Sequence, residues 1–179
     1  HAAPGHTQQD RMSRRIALVC LTPASDGDEH GRLSLPSYGV RRVQAAVVAD
    51  PERPDHVVGL IDFAREDVAA YVQAILAFEP DVVGFSIYVW SADCLVSVAR
   101  EVRRRRPGCL IVFGGASARA SLFDLSYYAP ASDFADAVVE GEGEAIFQAI
   151  CRLPDPMRDG LAGIPGLTLP VEGGWHRTA

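Results

Sequence analysis

The sequence has no lysine and no asparagine; all 17 of its basic residues are arginines. Without lysine there is no Schiff-base amine, no phosphate-binding P-loop lysine and no lysine general base. Without asparagine there is no N-glycosylation site. Its four cysteines (Cys20, Cys94, Cys109, Cys151) form no CxxC or CxxxCxxC spacing, so no cysteine-built zinc or iron–sulfur site is expected within the chain. They lie in apolar runs, where cysteine acts as a small hydrophobe, and a reducing cytoplasm is the expected setting. No apolar stretch reaches membrane-spanning length, and no signal-peptide core opens the chain. A net charge of −6 argues against nucleic acid as a partner. No GxGxxG turn follows a strand-like run, which weakens a dinucleotide reading.

What remains is an ordinary globular composition, 48% hydrophobic and 22% charged over 179 residues, enough for one domain. Residues 1–11 are polar and aperiodic and read as an expression remnant or a disordered arm. From Ile16 onward a unit repeats: an apolar run, a loop, a helical period. The runs are 16–21, 56–61, 81–86, 109–113 and 136–139. They are continuous rather than alternating, as parallel strands covered on both faces require. Helical segments are expected near 38–49, 66–78, 92–106, 118–129 and 142–152; Val68, Tyr71, Val72, Ile75 and Leu76 make one stripe. Arg103–Arg106 reads as a solvated helix end suited to the C-terminal dipole.

Five alternations predict an α/β, Rossmann-like, open doubly wound parallel sheet of five strands with flanking helices. Residues 12–153 form this domain. Over 154–179, prolines and glycines break the helical period, and 167–169 and 175–177 flank Glu172-Gly173-Gly174 as a C-terminal β-hairpin. The stop at Ala179 without a closing helix is expected of a piece of a longer protein.

Ligands of such sheets sit beyond the carboxyl ends of the strands. There the sequence offers a sixteen-residue loop from Thr22 to Ser37, the Ser86–Ser91 segment, Gly114–Ser117 and Glu140–Glu144. Gly114 and Gly115 present no Cβ and admit either a flat ligand or a tight turn. Ser91 is the better cap for the following helix, freeing Ser86. Tyr88 and Trp90 either pack on the sheet or offer a flat cofactor a face.

Pro80-Asp81-Val82-Val83-Gly84-Phe85-Ser86, Val112-Phe113-Gly114-Gly115 and Val139-Glu140-Gly141-Glu142-Gly143-Glu144, in this order, resemble the N-terminal cobalamin-binding domain of cobalamin-dependent radical SAM methyltransferases. Leu35–Val40 and Ile164–Leu167 match that family's entry into its first helix and its closing hairpin. The resemblance implies a cobalamin site formed by Pro36, Tyr38 and Gly39; by Ser86, Ile87, Tyr88, Val89, Trp90 and Ser91; by Gly114, Gly115, Ala116 and Ser117; and by Glu140, Gly141, Glu142 and Gly143. It implies no catalytic residue and no metal ligand from this chain. SAM and a [4Fe–4S] cluster belong to a C-terminal radical SAM domain outside it, and the parent reaction moves a methyl group from SAM through methylcobalamin to a poorly activated centre.

Other cobalamin domains take a lower axial histidine from a DxHxxG motif. Here Asp28-Glu29-His30 begins one, but Leu33 stands where its glycine belongs. The family resembled holds the cofactor base-off, so a residue of Tyr88–Trp90 is expected beneath the cobalt. A free-standing cobalamin carrier or sensor, and a nucleotide-binding Rossmann domain, are the competing expectations.

Overall fold

The computed structural model describes residues 13–23, 37–128 and 130–179. Seven strands form one sheet: β1 (Arg15–Cys20), β2 (Val57–Asp62), β3 (Val82–Ser86), β4 (Leu110–Gly114), β5 (Ala137–Val139), β6 (Leu167–Val171) and β7 (Gly174–Arg177). Their spatial order is β2-β1-β3-β4-β5-β6-β7. The first five are mutually parallel; β6 and β7 are antiparallel. The five-stranded parallel sheet is thus present, and the hairpin is no appendage but continues it past β5.

The helices are α1 (Tyr38–Val48), α2 (Val68–Phe78), α3 (Ala92–Arg105), α4 (Ala120–Phe123), α5 (Glu144–Arg152) and α6 (Met157–Gly160). Right-handed crossovers place α2 and α3 on one face and α1 and α5 on the other. Each face buries its own apolar cluster. Tyr71, Ile75, Leu95, Val98, Phe85, Phe113 and Phe123 fill the first; Ile16, Leu18, Val112, Phe147, Ile150 and Leu167 fill the second. Burial on both faces explains why β1, β3 and β4 read as unbroken apolar runs.

Three expectations need correction. The helix predicted over 118–129 is only the four-residue α4, followed by turns and a 3-10 turn at 131–133. Phe123 and Tyr128 are both buried, and five residues apart they cannot share a helical stripe. Phe123 stacks on Phe113 at 4.7 Å, while the Tyr128 hydroxyl donates to Asp93 on α3. Ser91 occupies the N-cap position of α3 without capping it. Its hydroxyl turns back, accepting from the Tyr88 N–H at 3.0 Å and lying 3.2 Å from the Tyr88 carbonyl. The arginine run is also more than a solvated end. Arg103 bonds Asp136 (2.5 Å) and the Pro107 and Cys109 carbonyls, and Arg106 bonds the Pro80 carbonyl; only Arg104 and Arg105 keep to the surface, paired with Glu101.

Candidate functional site

A cavity of about 230 Å³ opens at the carboxyl ends of the parallel strands, on the face carrying α1 and α5. Its floor is the inward-pointing row Leu18, Gly84 and Val112 with the Phe147 ring. Gly84 interrupts the middle of β3 for a packing reason: a Cβ there would stand 2.8 Å from Phe147. The walls come from Tyr38, Gly39, Arg42 and Val43 of α1, and from Glu144 and Phe147 of α5. Ser86, Tyr88, Gly114–Ala116 and Gly141–Gly143 frame the mouth.

Six of the twenty lining residues are glycine, so the backbone itself forms much of the wall and a Cβ at those positions points toward the free volume or a close neighbour. The two mouth glycines from the end of β4 divide their roles. A Cβ on Gly114 would meet only Val139, at 3.9 Å, leaving this position open toward the cavity. A Cβ on Gly115 would lie 2.7 Å from the Ile87 nitrogen and 2.8 Å from its carbonyl oxygen, and its φ of +99° is one that L side chains rarely adopt. Gly115 therefore serves the crossing of two loops: Ile87 donates to the Gly114 carbonyl at 2.7 Å and accepts from Ser117 at 3.0 Å.

The rim is held from beneath. The buried Tyr71 hydroxyl lies 2.7 Å from the Cys20 carbonyl and 2.9 Å from that of Phe63, and accepts from the Phe63 N–H, locking the ends of β1 and β2 together. Burial raises its pKa above the ordinary tyrosine value. Asp62 accepts from both the backbone N–H and the hydroxyl of Thr22, at 3.0 and 2.7 Å. Burial, then the neighbouring Asp62 charge, pushes the Cys20 thiol up to about 12, so it stays protonated and inert. Glu140 braces the last loop, accepting from the Ala120 N–H at 3.0 Å and pairing with Arg177 at 3.4 Å. Gly141, at φ +98°, then turns the chain into α5.

Of the positions singled out in the sequence, Tyr38, Gly39, Ser86, Tyr88, Gly114, Gly115, Ala116, Gly141, Glu142 and Gly143 converge on this cavity. Ile87 and Ser91 are fully buried in the scaffold, and Ser117 and Glu140 hold loops. Val89 and Trp90 are exposed beside the mouth; Trp90 stacks on Tyr88 with ring centroids 4.6 Å apart, and its indole N–H points to the Leu21 carbonyl at 3.4 Å. Pro36 and His30 lie outside the described residues, as does the arm over 1–11. Arg42, Val43 and Phe147 escaped the sequence reading, because a helical residue facing a cavity reads like any other on its helix. Gly84 was the available signal, since glycine inside a strand marks a close approach.

Among the described residues no group of three or more His, Cys, Asp or Glu is placed to hold a metal ion. His56 sits at the opposite, amino end of the sheet, where its ring contacts the Arg14 N–H and the Cys151 carbonyl; burial lowers its pKa. His176 is exposed on β7. All four cysteines are free and buried. No helix of the described residues is long and apolar enough to cross a membrane.

A two-sided α/β sheet with a glycine-lined cavity at its strand ends is the design of a cofactor-holding domain. The profile of the B12 binding domain matches residues 36–151, well over half of the sequence, and the chain belongs to that family; cobalamin is the ligand this membership assigns. It is 31% identical over 144 residues to the 2-(S-pantetheinyl)-carbapenam-3-carboxylate methyltransferase of Streptantibioticus cattleyicolor, covering 74% of this chain and 19% of that one. To the hopanoid C-3 methylase of Methylococcus capsulatus it is 32% identical over 94 residues, 52% of this chain and 18% of that one. The chain thus spans about a fifth of the length of these curated relatives. In fold it is similar to the cobalamin-dependent S-adenosylmethionine radical enzyme OxsB, solved with aqua-cobalamin and S-adenosylmethionine bound: TM-score 0.65, 12% identity, 93% of this chain and 22% of that one. A cobalamin-binding protein from Desulfitobacterium hafniense gives 0.52 at 16% identity, covering 78% of this chain and 57% of that one.

Proposed function

We propose that this chain holds cobalamin base-off, without a histidine beneath the cobalt, as the cofactor domain of a radical SAM methyltransferase. The single observation behind the reading is the cavity between α1 and α5. At about 230 Å³ it accommodates a part of a large ligand and leaves the remainder over the mouth. The nucleotide tail fits the cavity, with apolar Leu18, Val43, Val112 and Phe147 around its base and backbone at Gly114 and Gly143 alongside. The corrin then lies on the rim, against Tyr38, Tyr88 and the Gly141–Gly143 loop. The stacked Tyr88–Trp90 pair would offer the ring a flat aromatic surface beside the mouth.

Cobalamin supplies a strongly nucleophilic cobalt able to accept a methyl group and pass it on. The role of these residues is to exclude water from the tail, keep the ring at the rim and offer no strong lower ligand. SAM, the [4Fe–4S] cluster and the methyl acceptor belong to polypeptide outside this chain. The full reaction so assigned is methyl transfer from SAM, by way of the corrinoid, to a poorly activated carbon or phosphorus centre.

The test is a visible spectrum of the chain after mixing with hydroxocobalamin and desalting. A retained corrin band of base-off character, unchanged in His30→Ala, is expected. A histidine-ligated spectrum that His30→Ala abolishes would overturn the histidine-free lower face. A folded but colourless protein would overturn cobalamin binding and favour a nucleotide ligand.

A further inference from the structure

Arg42 is the one cation among the described residues lining the cavity, whose other charged lining groups are Glu142 and Glu144. Its Nε lies 2.7 Å from Glu144 Oε1 in an ion pair that joins α1 to α5 across the cavity wall, and its guanidinium lies 5.9 Å from the Tyr38 ring centroid. A guanidinium carries five N–H donors, of which Nε provides one. The four on Nη1 and Nη2 have no hydrogen-bond partner among the described residues. The side chain is half exposed, yet it is oriented from two sides and its planar, two-pronged end is left free. That end matches the oxygens of a phosphate, which accept two parallel N–H bonds.

The cofactor assigned above has one group of this kind. The nucleotide tail of cobalamin is joined to the ring by a phosphodiester bearing one negative charge; cobinamide, its tail-less counterpart, lacks both phosphate and base. Glu142 and Glu144 oppose an anion at this wall, so among the charged side chains lining the cavity Arg42 is the one that favours a phosphate, its charge offset only in part by Glu144. We propose that Arg42 receives the phosphodiester of the nucleotide tail, with Glu144 as its positioning residue, and that this contact makes the domain select tail-bearing over tail-less corrinoids. The inference rests on the cobalamin reading above.

The experiment compares the affinities of the wild type, Arg42→Met, Arg42→Lys and Glu144→Gln for cobalamin, cobinamide phosphate and cobinamide, followed by quenching of tryptophan fluorescence. Circular dichroism checks that each variant is folded. Bonds to a charged group in a partly solvated place predict that Arg42→Met weakens cobalamin and cobinamide phosphate about tenfold relative to cobinamide. Arg42→Lys restores part of this ratio, and Glu144→Gln, which removes an opposing anion while keeping an oxygen beside Nε, leaves the ratio at or above that of the wild type. The affinity of the wild type for cobalamin falls with salt more steeply than that of Arg42→Met. An equal loss for all three corrinoids, or none, would overturn the assignment of Arg42 while leaving cobalamin binding intact. A wild type that takes up no corrinoid would instead overturn the cobalamin reading, and this inference with it.

Discussion

Gly115 is closed over by the backbone of Ile87, whose nitrogen and carbonyl oxygen lie 2.7 and 2.8 Å from where a Cβ would be. The two loops that frame the cavity, after β3 and after β4, are thereby bound at a point where no side chain fits. Gly115→Ala adds left-handed strain to a clash with backbone that cannot swing away, for a loss of about 3 kcal/mol. Urea unfolding will show it as a lower midpoint. An unchanged midpoint would show that the loops separate easily.

Gly114 behaves oppositely. Its Cβ direction meets only Val139, at ordinary contact distance, so Gly114→Phe keeps the fold and projects a ring into the cavity mouth. Far-ultraviolet circular dichroism should match the wild type, while corrinoid retention after desalting is lost. Retention by a folded Gly114→Phe would place the ligand elsewhere.

Asp50 and Arg152 form a two-pronged pair, with both bonds at 2.7 Å, tying the end of α1 to the end of α5. Asp50 is 2% exposed, and the Arg152 hydrogen bonds hold its carboxyl below the usual carboxylate value. Asp50→Ala leaves a partly exposed Arg152 that still pairs with Glu52 at 3.1 Å, so the loss falls below that for fully buried pairs, about 2 kcal/mol. Because the folded pKa is lowered, the contribution of the pair is present above the unfolded pKa near 4 and fades as pH falls below it. The acid limb of a stability–pH curve should therefore flatten in Asp50→Ala.

Burial pushes the thiols of Cys20, Cys109 and Cys151 up to about 12. In the unfolded chain they ionise near 9. Their neutral burial is thus fully stabilising below that pH and eroded between 9 and 12, each thiol costing about 1.4 kcal/mol per pH unit. None should react with an aromatic disulfide reagent at pH 8 until urea unfolds the protein. Rapid native labelling would contradict their placement.

The sequence announced the sheet well and the cavity only in part. Strand runs such as Ile16–Leu21 are legible because parallel strands must be apolar on both faces, and the glycines at 114, 115, 141 and 143 mark their ends. Arg42 and Phe147 are not legible in that way. Their helices become neighbours only through the crossover geometry, and nothing local separates a cavity-facing side chain from a core-facing one. The segment at 118–129 misled for a related reason: its helix-compatible composition gives way to the separate destinations of Phe123 and Tyr128.

The hairpin at the far edge bears on the order in which the protein assembles. Val171 and Gly174 pair across a two-residue turn, whereas each parallel pairing must await a chain excursion through a helix. Hairpins close in about 1–10 μs, while contacts distant in sequence are slowed by loop-closure entropy. The three residues of β5 are held between β4 on one side and β6 on the other. The hairpin is therefore expected to close ahead of the parallel pairings, and the loop after β5, which completes the cavity mouth, to set once β5 is held from both sides.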